Sequence, residues 1–405
     1  MRFALFGKAP IALSVARAVA AHPAHELTRV VVPPSSPAAL PQPGRSVRTC
    51  ESWEELLADS ELDAVIISDE SEDGRQAVRQ LLQAGKAALV TSSLVQTAEF
   101  FYEMSLVEAE RPGRLFPLLG LRGHPLVGKL REVISQNGLG RLRHARIERT
   151  IAVQTAGDSA PIFSEPELER AFLPDADLLE DLCGGYNQVA ASRSGTSDDG
   201  FSLATVTLSG GGGAPQAVWT AAAAVGDHWR FSLSGESGTA ILEGNPELGK
   251  LKLTLQLSGQ AAVAQEADFD AAPWLLETFI RTVESGRRAE AGLAIELTAP
   301  EEYLWGELAR VVEIVEAVER SIRRRRTIDV YFDTPSERGI FKTQMTAAGC
   351  SLLVLTLAAV VVYAVLEAAV NLAPPLRHAL VTLIFLPLGV FLAMQLFVFV
   401  ARPGR

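Results

Sequence analysis

Short apolar runs alternate with segments of helical period through the first 120 residues. Strands are predicted over 3–6, 27–32, 64–68 and 88–90, and helices over 11–21, 53–58 and 74–84. Strands that are apolar throughout and separated by helices indicate a parallel sheet covered on both faces. The Pro- and Ser-rich stretch 33–45 reads as a loop after the second strand. Beyond a helix over 126–137, closed by Gly138, the pattern changes. Polar and apolar residues alternate over 142–153, 201–208, 216–223, 229–234, 239–242 and 250–257, the period of antiparallel strands with one solvated face. Helices are predicted at 168–172, 274–284 and 301–325. The glycines at 210–213 lie between two strands and read as a hairpin turn, since a phosphate cradle runs from a strand into a helix N-terminus.

A third pattern closes the chain. Two apolar runs, 347–370 and 379–401, are separated only by 371–378. Each is long enough as a helix to cross a hydrocarbon core of about 30 Å, which takes roughly 20 residues. The expected architecture is therefore an α/β Rossmann-like domain over 1–120, then an α+β domain with an open, mainly antiparallel sheet over 121–333. A linker over 334–345 and a transmembrane helical hairpin over 346–401 follow.

Charge refines this picture. A net charge of −11 over 405 residues argues against a general nucleic-acid binder, because phosphate contacts need clustered Lys and Arg. The cluster Arg323, Arg324, Arg325 and Arg326 ends the predicted helix 301–325, where cations meet the negative end of the helix dipole. Arg338 and Lys342 precede the first apolar run and Arg402 and Arg405 follow the second, while the loop offers Arg377 and His378. The positive-inside rule then places the body and both termini in the cytoplasm. Residues 1–7 hold too short an apolar run for a signal peptide and read as a strand. Glu367 lies close enough to the loop for its carboxylate to reach the interface. The three cysteines, Cys50, Cys183 and Cys350, have no metal-ligand spacing and no disulfide framework, so no metal is expected. The expected partners are the bilayer, a small sugar-like ligand, and further copies of the chain or a membrane protein, with no nucleic acid.

Five segments in order resemble the Gfo/Idh/MocA oxidoreductases, the family of glucose-fructose oxidoreductase and inositol dehydrogenase. They are Leu62-Asp-Ala-Val-Ile-Ile-Ser68 with Leu82-Gln-Ala-Gly-Lys86, Gly138-Leu-Gly-Arg-Leu-Arg143, the turn from Phe231 to Ala240, and Phe279-Ile-Arg-Thr-Val-Glu-Ser-Gly286. The resemblance spans roughly residues 1–330 and leaves out the hairpin. It implies a Rossmann domain that binds NAD or NADP and a sheet domain that closes over a sugar-like substrate.

Position by position the resemblance is incomplete. A dinucleotide turn uses glycines for tight turning, for approach of the backbone to the diphosphate and for helix packing, and here these positions are Gly7, Ala9 and Ala12. Ala9 adds a methyl at the diphosphate, Pro10 removes a donor, and Lys8 offers charge in compensation. The family's cofactor contacts fall on Gly7, Lys8, Ala9 and Ile11, then on Ser68 and Thr91 after the third and fourth strands. No acid follows the second strand to hold a ribose, and Asp69-Glu-Ser-Glu-Asp73 reads as a solvated loop. The family's Glu-Lys-Pro lysine falls on Ser92, whose hydroxyl cannot stabilise an alkoxide as an ammonium does. Its Asp-x-x-x-His falls on Asp181-Leu-Cys-Gly-Gly185, which keeps the aspartate and has Gly185 for the proton-transfer histidine. The remaining candidates for a catalytic role are thus Asp181 and Ser92. Two readings follow: a membrane-anchored, catalytically degenerate homologue that binds a nucleotide or sugar, or an active NAD(P)-dependent oxidoreductase on a sugar or polyol with a non-standard base such as Asp181, Tyr186 or Lys8.

Overall fold

The computed structural model describes residues 1–31, 47–91, 98–152, 162–195, 200–211, 213–290, 305–330, 355–363, 365, 366, 377, 380 and 382–386. The chain divides into two compact units, Met1–Tyr331 and Phe332–Arg405.

The first sheet has six strands, β1 (Arg2–Phe6), β2 (Glu26–Val31), β3 (Arg48–Cys50), β4 (Ala64–Ile67), β5 (Ala87–Val90) and β6 (Leu115–Pro117), interleaved with α1 (Pro10–Ala21), α2 (Glu55–Ala58), α3 (Glu72–Gln83) and α4 (Ala98–Glu110). All pairings are parallel, in the order β3-β2-β1-β4-β5-β6. Every residue of β4 and β5 is fully buried, which is why these strands carry no polar face. The chain runs outward from β1 in both directions, so the order reverses between β1 and β4. In doubly wound sheets ligands bind at such a reversal, in a crevice beyond the carboxyl ends of the strands.

After a turn of 3-10 helix (Leu121–Gly123) and α5 (Pro125–Ser135), the chain builds β7 (Leu142–Ala152), α6 (Glu165–Leu182), β8 (Tyr186–Ser194), β9 (Leu203–Gly210), β10 (Gln216–Ala224), β11 (Trp229–Gly235), β12 (Gly238–Asn245), β13 (Lys250–Leu257) and β14 (Val263–Asp268). Helices α7 (Ala271–Glu290) and α8 (Trp305–Arg324) and the short β15 (Ile328–Asp329) complete the unit. The nine strands lie in the order β14-β13-β12-β11-β7-β10-β9-β8-β15. Their pairings are antiparallel except that of β7 with β10, which is parallel. Inward positions such as Ala217, Trp219 and Ala221 are buried, with Phe172 of α6 meeting the Trp219 ring edge-on at 5.0 Å. Helix α7 returns to the first sheet, where Phe279 packs on Phe3 and Phe116, each pair 6.0 Å between centroids.

Four differences from the sequence expectation have physical causes. Helix α6 runs over eighteen residues instead of five, because Pro174 lies inside it and does not end it. A capping box of Ser164 and Glu167 starts it, and burial of Leu168, Phe172, Leu179 and Leu182 holds both sides of the proline. Helix α4 was hidden because Phe100, Phe101 and Met104 are buried while Leu106 is exposed, which blurs the period. In strand β8 the buried Tyr186 is followed by the exposed pair Asn187 and Gln188, and β14 is exposed at five of six positions, so neither shows the alternation of a half-buried strand. Strands β3 and β6 have three residues each, too few for any period.

In the second unit the described residues are helical, and Leu355, Leu357, Val361, Val362, Val365, Leu383 and Leu386 are all exposed. No helix among the described residues is long and apolar enough to cross a membrane; the runs 347–370 and 379–401 lie largely outside those residues.

Candidate functional site

The crevice at the β1/β4 reversal is floored by the turn from β1 into α1. Gly7 has φ of +108°, and a Cβ there would lie 2.5 Å from the Ser68 Oγ and 2.6 Å from the Asp69 backbone nitrogen. Glycine is required twice over, by conformation and by space. Ser68, nearly buried, donates its N–H to Phe6 O at 2.7 Å and accepts from the Ala9 N–H at 3.2 Å. One loop of each strand is thereby tied to the other. Helix α1 begins at Pro10 with no side-chain cap on Ala9, and the first N–H groups of a helix have no intrahelical acceptor. The N–H groups of Ile11 and Ala12 therefore open a helix N-terminus suited to a phosphate. Ala12 is fully buried and lets α1 pack on the sheet, while Lys8 is exposed. Thr91, at the end of β5, is nearly buried, its N–H bonded to Ile67 O at 3.1 Å.

Gly7, Ala9 and Ser68 are thus brought together, with Ile11 on the first turn of the helix. The turn and the helix N-terminus fit a dinucleotide diphosphate; the Ala9 methyl and the missing donor of Pro10 narrow the fit. Residues 32–46, where a ribose-binding acid would stand, and Ser92 lie outside the described residues. The acidic run after Ser68 is not simply a solvated loop. Glu72 and Asp73 form the first turn of α3, Asp69 accepts from the Ser71 N–H at 3.0 Å, and Glu70 pairs with Arg170 of α6 at 3.0 Å. Carboxylates at a helix N-terminus are stabilised by its dipole, which turns much of this charge to structural use.

Asp181 stands elsewhere. Its carboxylate meets Arg131 at 2.6 Å and Arg122 at 3.7 Å. Arg170 marks where α6 reaches the loop after Ser68, and Asp181 is eleven residues further on, roughly 16 Å along the helix axis. Gly185 has φ of +76° in the turn that ends α6, where a Cβ would look toward Ala214 and Gly211 of the β9–β10 hairpin at 3.8 Å. Tyr186 is fully buried and burial pushes its phenol far up. Lys86 is buried at the opposite end of β5 from Thr91, donating to Leu62 O at 3.2 Å. His124 caps α5, accepting from the Leu126 N–H at 3.1 Å.

A second concavity had no signal in the sequence. A cavity of about 250 Å³ opens between α6 and the ends of β7, β11 and β12, lined by Arg149, Arg170, His228, Trp229, Asn245 and Glu247. Beneath it lies Asp175, 1% exposed, which accepts from Trp219 Nε1 at 2.7 Å, Trp229 Nε1 at 2.9 Å and Arg149 Nη1 at 3.1 Å. Arg149 also donates to Ala171 O at 2.9 Å. The partners come from α6, β7, β10 and β11, so no local motif could reveal them. Among the described residues no cluster of side chains could hold a metal ion.

Residues 1–113 match the Gfo/Idh/MocA family model, described as oxidoreductase family, NAD-binding Rossmann fold. No curated protein sequence matches the chain. Among solved structures, myo-inositol dehydrogenase from Corynebacterium glutamicum is 15% identical with a TM-score of 0.60, covering 82% of this chain and 99% of its own. The WlbA dehydrogenase from Bordetella pertussis, in complex with NADH and UDP-GlcNAcA, is 16% identical with a TM-score of 0.61, over 82% and 98%. Levoglucosan dehydrogenase in complex with NADH and L-sorbose is 15% identical with a TM-score of 0.61, over 82% and 99%. The Rossmann sheet therefore carries the family's sequence signature, and the fold of both sheets is shared with these dehydrogenases.

Proposed function

We propose that this chain binds an NAD-type dinucleotide at the Gly7 turn and serves as a membrane-anchored binding protein without the family's turnover. The observation that carries the reading is Gly7 locked against Ser68 at the strand-order reversal, beneath an uncapped helix N-terminus. Ile11 and Ala12 N–H groups would hold the diphosphate, with Lys8 adding charge and Ser68 and Thr91 lining the crevice. A bound nicotinamide supplies a hydride acceptor or donor. Against turnover stand Ser92 at the lysine position and the enclosure of Asp181 by two arginines. A neutral hydroxyl is a poor base, and a carboxylate held between two guanidiniums is directed away from a substrate. Anchoring is supported by the length of the two apolar runs and by the exposed leucines and valines of the second unit, which water would not favour. The positive flanks favour a cytoplasmic body.

The polar cavity over Asp175 favours a second reading, an active oxidoreductase whose sugar- or polyol-like substrate sits against Arg149 and Arg170. One set of measurements on the full chain in detergent separates the two. Nicotinamide fluorescence and calorimetry are expected to give saturable NADH or NADPH binding that Gly7→Val removes, with the circular dichroism of the variant reporting whether it is folded. Absence of affinity at millimolar cofactor sinks both readings. Reduction of NAD or NADP by any sugar or polyol removes the inert reading and leaves the active one. Flotation with lipid vesicles tests the anchor by itself.

A further inference from the structure

Four consecutive arginines, Arg323, Arg324, Arg325 and Arg326, close α8, and all four are exposed. The helix dipole accounts for only half of them. Arg323 and Arg324 lie in the last turn of α8, whereas Arg325 and Arg326 lie beyond it. Arg323 meets Glu319 at 3.4 Å; the other three make no ion pair among the described residues. Consecutive guanidiniums repel one another, and these three, without an ion pair among the described residues, stand out in a chain of net charge −11.

The backbone that displays them is fixed from beneath. Arg325 has φ of +51°, a left-handed conformation in which glycine or asparagine is the usual residue. Ser321, 1% exposed, donates its hydroxyl to Arg326 O at 2.7 Å and accepts from the Ala191 N–H at 2.9 Å. Beyond the turn, Ile328 and Asp329 pair with β8, Asp329 accepts from Gln188 at 3.0 Å, and the Val330 N–H donates to Asn187 O at 2.7 Å. Among the described residues, the carboxylates closest in sequence, Glu319 and Asp329, are thus each engaged. A flexible basic tail would spread its charge; this turn holds it in one place.

We infer that the turn is a docking surface for anionic phospholipid headgroups. The inference rests on the membrane anchoring proposed above. Sixteen residues, 331–346, separate Val330 from the first apolar run; their Arg338 and Lys342 are balanced by Asp333 and Glu337, so the positive charge is concentrated in the turn itself. That length spans at most about 55 Å when extended, so an anchored chain keeps the turn within reach of the bilayer surface. Guanidinium groups bind phosphate oxygens through paired N–H donors, and clustered arginines near a membrane attract its negative leaflet. The docked turn would hold the body at a set orientation to the bilayer.

The full chain in lipid nanodiscs tests this, with phosphatidylcholine alone or mixed with phosphatidylglycerol. Phenylglyoxal labelling, followed by mass spectrometry, reports each guanidinium. Arg324, Arg325 and Arg326 should label roughly tenfold more slowly in the anionic discs, as expected when each basic side chain near the surface adds several-fold affinity. Exposed Arg143 should label equally in both, and raised salt should restore the fast rate. Equal labelling of the turn in both lipids, in chain that co-elutes with the discs, overturns the inference and leaves the anchor standing. Chain that does not enter discs at all overturns the anchor. Protection of the turn by RNA without lipid, absent in anionic discs, would assign it to nucleic acid instead.

Discussion

Asp175 joins four elements through one carboxylate. Two indole N–H groups and one guanidinium converge on it, and these three donors are what make its burial tolerable. Removing one partner of such an enclosed set leaves a buried charge uncompensated, which costs about 3–5 kcal/mol. Asp175→Ala should lower stability by about that amount in urea denaturation followed by tryptophan fluorescence. A loss below about 1 kcal/mol would mean that water and Glu247, already 3.5 Å from Arg149, suffice to compensate the guanidinium. The turn at Gly7 is legible in the sequence, because a glycine directly after a short apolar strand is a local requirement, and the structure sets that turn against Ser68. Asp175 gives no such local signal, since its partners Trp219 and Trp229 lie 44 and 54 residues away. Asp181 fits the aspartate of the family's Asp-x-x-x-His pattern, with Gly185 in place of the histidine, and its side chain faces Arg122 and Arg131.

Helices α6 and α8 pack across the inner face of the second sheet, and their contact carries a mismatch of charge. Glu169 of α6 is pushed up to about 7 by burial and by the negative neighbours Glu165 and Glu319. Folded protein then keeps the Glu169 proton until about pH 7, while unfolded chain releases it near its ordinary value of 4.5. This contact therefore favours folding below pH 4.5 and loses that advantage as the pH rises through 7. Glu169→Gln should melt above the wild type at pH 8 and converge with it in acid, as differential scanning calorimetry would record. A constant difference at both ends would exclude the titration of Glu169 as its source. At this scale the sequence was most legible where one environment surrounds an element. Fully buried β4 and β5 read as apolar runs, and the alternation of β10 and β11 read as a one-sided sheet. Helix α6 was cut short because a proline inside a helix and a proline after one look alike in sequence.

For the body as a whole, Arg122 fastens the edge of the Rossmann sheet to the helices of the second. Its guanidinium makes two bonds to Asp177, at 2.7 and 3.0 Å, and one to Glu307 of α8 at 2.7 Å. Asp177 is 1% exposed. Arg122→Ala should cost about 3–5 kcal/mol, because it strips that carboxylate of its two-pronged partner. The unfolding curve should also broaden or split as the two sheets lose their common fastening. A single sharp transition at the wild-type midpoint would show that the hydrophobic contact of α7 with the first sheet suffices. This clasp could not be read in advance, since an arginine in a short turn gives no hint of three carboxylates from later helices.

The parallel pairing of β7 with β10 bears on how the chain is made. Strand β7 sits in the middle of the nine-stranded sheet, yet both its neighbours, β10 and β11, are encoded after it. The 63 residues between Ala152 and Gln216 take roughly 3–13 s to synthesise at about 5–20 residues per second. During that interval the emerging strand has two open edges and nothing to pair with. Arg143, Arg146, Glu148 and Arg149 along it are the kind of charges that keep an open edge from pairing with a neighbouring nascent chain. A central strand that carries the guard residues of an edge strand is fitted to wait on the ribosome.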